Sequence, residues 1–192
     1  MRGAIFIYPV YYGLKVKLSG TEVLQNYIGP FFEKYDYVLI DCPPNLGFIT
    51  QNGLEVSDFY LIPTIPDRMS TFGIPQIAGK IDEIRRDREL KIRCLGIIIT
   101  KFQSNSSQHK AGLERLPSEL KRAFGTTSEP APPILKTGMP QTNASAEATT
   151  FEREVKNYPA KYGSGLVGGQ AAYKYRLQLA DEIEELLAAR GR

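Results

Sequence analysis

The chain has 192 residues, of which 42% are hydrophobic and 23% charged, with a net charge of +3; this is the composition of a soluble globular protein with one large core. No apolar run approaches the roughly 18 residues that span a bilayer, and no signal-peptide pattern opens the chain, so a cytoplasmic location without membrane contact is expected. The two cysteines, Cys42 and Cys94, are too few for a disulfide framework and lack metal-ligand spacing, so both are expected as reduced thiols.

In chain order, Ala4-Ile5-Phe6-Ile7-Tyr8 reads as a strand, and Ser19-Gly20-Thr21-Glu22 has the spacing of a capping box at a helix start. Tyr35 to Pro44 is the most informative run. Val38, Leu39 and Ile40 suit a parallel strand covered on both faces, and Pro43 and Pro44 then remove backbone donors and hold the chain extended. Asp41 is thereby displayed at a strand's carboxyl end, where open α/β sheets bind ligands. The bland alternative is a solvated strand-end aspartate.

Further strands are expected at about residues 58 to 63 and 94 to 100. Between them Ile74, Ile77, Ala78, Ile81 and Ile84 recur at helical spacing over residues 72 to 88, leaving Asp82, Glu83 and Arg86 toward water. Residues 125 to 133, with three prolines, read as a surface loop, and residues 156 to 171 as a second irregular stretch. A last helical stripe comprises Tyr173, Leu177, Ala180, Ile183 and Leu187. Strands alternating with helices argue for an α/β fold with a parallel sheet and crossover helices, in one domain over residues 1–192.

Residues 35 to 77, with Asp41-Cys42-Pro43-Pro44 at their head, resemble the ParA family of deviant-Walker partition ATPases, in which an Asp-Cys-Pro-Pro turn opens the second switch region. The resemblance continues through Leu95-Gly96-Ile97-Ile98-Ile99-Thr100-Lys101-Phe102 and ends more loosely near Met139-Pro140-Gln141, covering most of residues 15 to 187. It implies a doubly wound, mostly parallel sheet flanked by helices, of the P-loop NTPase type. It further implies that Asp41 supports the magnesium of a bound ATP, that Cys42, Pro43 and Pro44 form the switch turn, and that Thr100, Lys101, Phe102, Pro140 and Gln141 flank the adenine. An ordinary strand-end lysine is the other reading of Lys101. No catalytic base is assigned.

The family's phosphate-binding loop, a glycine-rich run with two lysines closed by Thr-Thr or Thr-Ser, does not occur in these residues. Gly163-Ser164-Gly165-Leu166-Val167-Gly168-Gly169 has the glycines but no preceding strand and no Lys-Ser/Thr pair, so it is expected to be a loop. In the resembled family that loop and the first switch lie at the N-terminus, so this chain is expected to match the C-terminal two thirds of such an ATPase, with an incomplete sheet. A truncated gene, a split protein and a misassigned start codon all fit. Alone, the chain is expected to bind ATP weakly and to be inactive.

His109, the one histidine, has no partners spaced around it and reads as a helix-terminal residue. Arg85, Arg86 and Arg88 lie in a stretch of mixed charge that is either a solvated helix face or a set of phosphate contacts. The resemblance implies nonspecific DNA, a ParB-like adaptor and a homodimer as partners. The acidic run Asp181, Glu182, Glu184, Glu185 argues against the membrane-binding relatives, which end in a basic amphipathic helix. Three readings stand: a partition ATPase fragment acting in plasmid or chromosome segregation, a non-catalytic interaction module that keeps the fold, and a cobyrinate-synthase-like relative.

Overall fold

The computed structural model describes residues 4–7, 34–43, 45–141 and 167–190, without the side chains of 4–7 and 167–173. The capping box at 19–22, Pro44 and residues 163–166 of the glycine-rich run lie outside them. The elements in order are β1 (Ala4–Ile7), β2 (Tyr37–Ile40), α1 (Phe48–Glu55), β3 (Phe59–Thr64), α2 (Arg68–Phe72), α3 (Ile74–Asp87), β4 (Arg93–Ile99), α4 (Ser107–Phe124) and α5 (Val167–Ala189). The strands fall where the apolar runs predict them. The glycines at 168 and 169, expected in a loop, lie instead in the first turn of α5; a glycine's helix cost is only about 1 kcal/mol, which the rest of a long helix can carry.

The described residues fall into two compact units, one within Met1–Tyr60 and Lys80–Arg93, the other within Leu61–Gly79 and Cys94–Arg192. In the first, β1 and β2 pair in parallel, Ala4 opposite Tyr37 through Ile7 opposite Ile40. Leu39 is 46% exposed, which corrects the expectation of a strand covered on both faces. Among the described residues β2 is paired along one edge only, so an apolar run is not by itself proof of cover. Leu54, Ile81, Ile84 and Ile92 are buried.

The stripe on α3 is largely as expected, with Ile74, Ala78, Ile81 and Ile84 buried and Ile77 half-buried. Asp82, expected toward water, is only 4% exposed. Its carboxylate takes Arg86 at 3.3 Å and Arg85 at 3.7 Å, and pairing is what makes a buried charge tolerable. Glu89 ends the helix with φ 54 while the Leu90 N–H reaches back 2.9 Å to the Arg85 carbonyl, a left-handed stop made without glycine.

β4 runs beside β3 in the same direction, since Arg93 N–H donates to Asp58 and Thr100 N–H to Thr64, both carbonyls advancing with the donors. On the other side of β4, Ile97 exchanges hydrogen bonds with Pro133 and Leu135, and Ile99 accepts from Met139. The proline-rich stretch expected as a plain surface loop thus leads into a sheet-edge row. Proline suits such an edge because its missing N–H is needed by no further strand. The second unit holds the larger core: Ile62, Ile74, Ile97, Leu116, Leu120 and Phe124 are buried, Ile97 and Leu116 completely. On α5 the predicted stripe is wrong in part, because Leu177 is 49% exposed and Ala180 is exposed, while Ile183 and Leu187 are half-buried.

Candidate functional site

At the carboxyl end of β2 the chain passes through Asp41, Cys42 and Pro43 before α1 begins at Phe48. The turn is held from inside the helix. The buried Thr50 hydroxyl donates to the carbonyls of Asn45 at 2.5 Å and Pro43 at 3.3 Å, while the Asn45 side chain accepts the Gly47 N–H at 3.1 Å. A proline segment has carbonyls to satisfy and few donors of its own, so an external hydroxyl fixes its path.

Gly53 lets α1 come close. A Cβ there would lie 2.9 Å from the Cys42 sulfur and 3.4 Å from an Ile40 methyl. The Cys42 thiol is half-buried, and burial first, then the neighbouring Asp41 charge, push its pKa up. Both effects favour the neutral thiol over the thiolate. Asp41 itself is exposed, its carboxylate displayed beyond the strand end by a turn locked behind it.

In the second unit Thr100, Lys101 and Phe102 are brought to Pro140 and Gln141. Phe102 N–H donates to Met139 at 3.1 Å and Gln141 N–H to Phe102 at 3.0 Å, forming a parallel bridge between Phe102 and Pro140. Thr100 is anchored through both its N–H, at 2.8 Å, and its hydroxyl, at 3.2 Å, to the Thr64 carbonyl. Lys101 adopts φ 52, a left-handed conformation that costs a non-glycine residue about 1–2 kcal/mol and marks a turn imposed by its surroundings.

His109 lies in the first turn of α4. The Ser106 hydroxyl caps its N–H at 3.3 Å, its Nδ1 accepts the Gln103 N–H at 3.1 Å, and its ring sits 6.2 Å from that of Phe102. It serves the turn after β4 as a brace, as a helix-terminal histidine should.

The three arginines singled out for phosphate contact are engaged within the first unit. Arg85 and Arg86 flank Asp82, and Arg88 reaches Glu55 at 3.3 Å and Gln51 at 2.7 Å, tying the end of α3 to α1. Sequence reasoning missed the residues that shape the site without touching a ligand: Thr50, Asn45 and Gly53. Asn-x-Gly directly before a helix was the available signal for the Asn45 turn; nothing local marks Thr50 or Gly53, whose partners are set by packing.

The fit of a magnesium–nucleotide group can be judged from these donors. Among the described residues no cluster of three or more His, Cys, Asp or Glu side chains forms a metal cage. A single displayed carboxylate suits magnesium held mainly by phosphate oxygens and water. The phosphate donors, a glycine-rich lysine loop, are not in these 192 residues.

A family model described as an AAA domain matches residues 9–94. The chromosome partitioning protein ParA of Myxococcus xanthus is 33% identical over 101 residues, 47% of this chain and 36% of that protein. The chromosome-partitioning ATPase Soj of Thermus thermophilus is 25% identical over 181 residues, 91% of this chain and 63% of its own length. The chain's fold matches that of the Pyrococcus furiosus cell division ATPase MinD with a TM-score of 0.56 at 19% identity, over 88% of this chain and 60% of that one. These comparisons together support a ParA-like P-loop NTPase. The ParA-like chain spans between 31% and 63% of the length of the curated relatives it matches.

Proposed function

We propose that this ParA-like chain carries the metal-side and base-side portions of a partition ATPase, acting as one domain in ATP-dependent plasmid or chromosome segregation in the cytoplasm. The observation that carries the reading is the Asp41 strand end. An exposed carboxylate leaves β2 on a turn that Thr50 and Asn45 lock from behind, the arrangement expected of a group that must meet a metal in a fixed position.

In this reading Asp41 holds one magnesium ligand position, directly or through water. Thr100, Lys101, Phe102, Pro140 and Gln141 present backbone to the adenine, and Cys42, Pro43 and Pro44 form the responsive turn. Bound Mg-ATP would supply the phosphoryl group and the charge that reports nucleotide state. The partners proposed with it are nonspecific DNA, a ParB-like adaptor and a second subunit. Names of relatives such as the Myxococcus ParA support this reading.

The deciding measurement is a titration of the purified 192-residue chain with magnesium and a fluorescent ATP analogue, repeated after joining it to a glycine-rich lysine segment from a ParA relative. Binding is expected to be marginal in the first case, because the cradle of amides and the lysines dominate phosphate affinity, and magnesium-dependent in the second. Micromolar magnesium-dependent binding by the chain alone, or none by the joined protein, would refute the assignment.

A further inference from the structure

The second unit carries a surface that the nucleotide reading leaves unused. Between α2 and α4 lies an open depression of about 240 Å³ lined by Arg68, Phe72, Pro75, Arg115, Glu119 and Arg122. Its rim is unusually apolar for a charged site. Phe72 is 70% exposed and the neighbouring Met69 87% exposed, the two most exposed large hydrophobic side chains among the described residues. Asp67, beside Arg68, caps α2 through the Ser70 N–H at 2.7 Å and does not line the depression.

The positive charge is only partly answered. Arg115 stands 4.0 Å from Glu119, while Arg68 and Arg122 are exposed and have no ion-pair partner among the described residues. The groove therefore presents aromatic surface flanked by cations, with Met69 exposed beside it. That pattern fits an amphipathic helix with an apolar anchor followed by carboxylates. A duplex fits it poorly, since Glu119 faces the same space and phosphate backbones make no use of Met69 or Phe72.

The same chain supplies such a helix. One face of α5 packs inward and is pinned where Glu182 accepts the N–H groups of Lys136 and Thr137 and where Arg190 donates to the Cys94 carbonyl. The opposite face, at i, i+4 and i+7 spacing, carries Leu177 and then Asp181, Glu184 and Glu185, all exposed, with Lys174 at its start. Three carboxylates stand beyond one apolar anchor, against three arginines around an apolar floor.

We propose that the α2–α4 groove seats the outward face of α5 from a second copy of this chain, Leu177 against Phe72 and Met69, with Asp181, Glu184 and Glu185 toward Arg68, Arg115 and Arg122. Each copy offers both a groove and a helix, so reciprocal seating closes at two copies, whereas one-way seating would extend into a chain. The contact is distinct from any nucleotide site and does not rest on the proposed ATPase function. Its ion pairs are exposed, so association weakens with salt.

Sedimentation equilibrium of the full chain without nucleotide tests this. Self-association is expected at low salt and reduced at high salt. R68E/R122E and D181K/E184K are each expected to weaken it by about a hundredfold, since like charges then face each other. Mixed in equal amounts the two variants should associate again, which also shows that both are folded. A wild-type chain that is monomeric at low salt, variants that associate as the wild type does, or a mixture that stays monomeric would each overturn the proposal. So would an R68E/R122E variant that loses DNA binding with its association state unchanged, which would make the groove a nucleic-acid surface.

Discussion

A methyl group on residue 112 would run into the backbone carbonyl of Pro66, so α4 and the segment before α2 approach as closely as they do only because that position is glycine. Gly112→Ala is expected to destabilise the chain by about 1–3 kcal/mol, the range for overpacking a tight contact, read as a lower urea midpoint with unchanged slope. Asp41 makes the opposite prediction. It is exposed, and its replacement by Ala should shift stability by less than about 0.5 kcal/mol. In the protein joined to a phosphate-binding segment, the same substitution should remove magnesium-dependent nucleotide binding. Retained binding there would return Asp41 to an ordinary strand-end residue.

Helix α5 is held to the rest of its unit by a charge. Partial burial pushes the Glu182 carboxyl up, but the N–H groups of Lys136 and Thr137, at 2.6 and 2.9 Å, outweigh it and the net shift is downward. A carboxylate whose folded pKa is depressed contributes stability above its unfolded pKa, near 4.5, and loses it as pH falls through the lower folded value. Glu182→Gln is therefore expected to cost about 1–3 kcal/mol at pH 7, as for lost charge-assisted hydrogen bonds. The gap to wild type should narrow in melts below pH 4.5. A gap independent of pH would show that packing, not charge, holds the helix.

For the molecule as a whole, a net charge of +3 leaves little long-range attraction for DNA, and Arg85, Arg86 and Arg88 already serve Asp82, Glu55 and Gln51. Duplex binding by this chain is expected to be marginal at low salt, indifferent to sequence and lost near physiological ionic strength. Replacing the three arginines together by Ala should reduce it further and also lower the melting temperature, because the replacement removes the two guanidinium groups beside the buried Asp82. Gel shifts at two salt concentrations with two unrelated duplexes measure the first. Binding that survives high salt or prefers one duplex would point to a different nucleic-acid surface.

Local pattern determined much by itself. The apolar runs placed the four strands among the described residues, the isoleucine spacing placed α3, and the Asp-Cys-Pro-Pro run placed the break after β2, because periodicity and proline act within a few residues of chain. Other features were decided only by tertiary structure. Asp82 is buried because two arginines surround it, and Leu177 is exposed because α5 turns its other face inward. A proline-rich segment becomes a sheet edge because Ile97 and Ile99 offer it hydrogen bonds. Thr50 and Gly53 matter through what folding sets against them, and so do the arginines of the α2–α4 groove, drawn from two helices more than forty residues apart. Burial and charge pairing depend on neighbours distant in sequence, which no local pattern specifies.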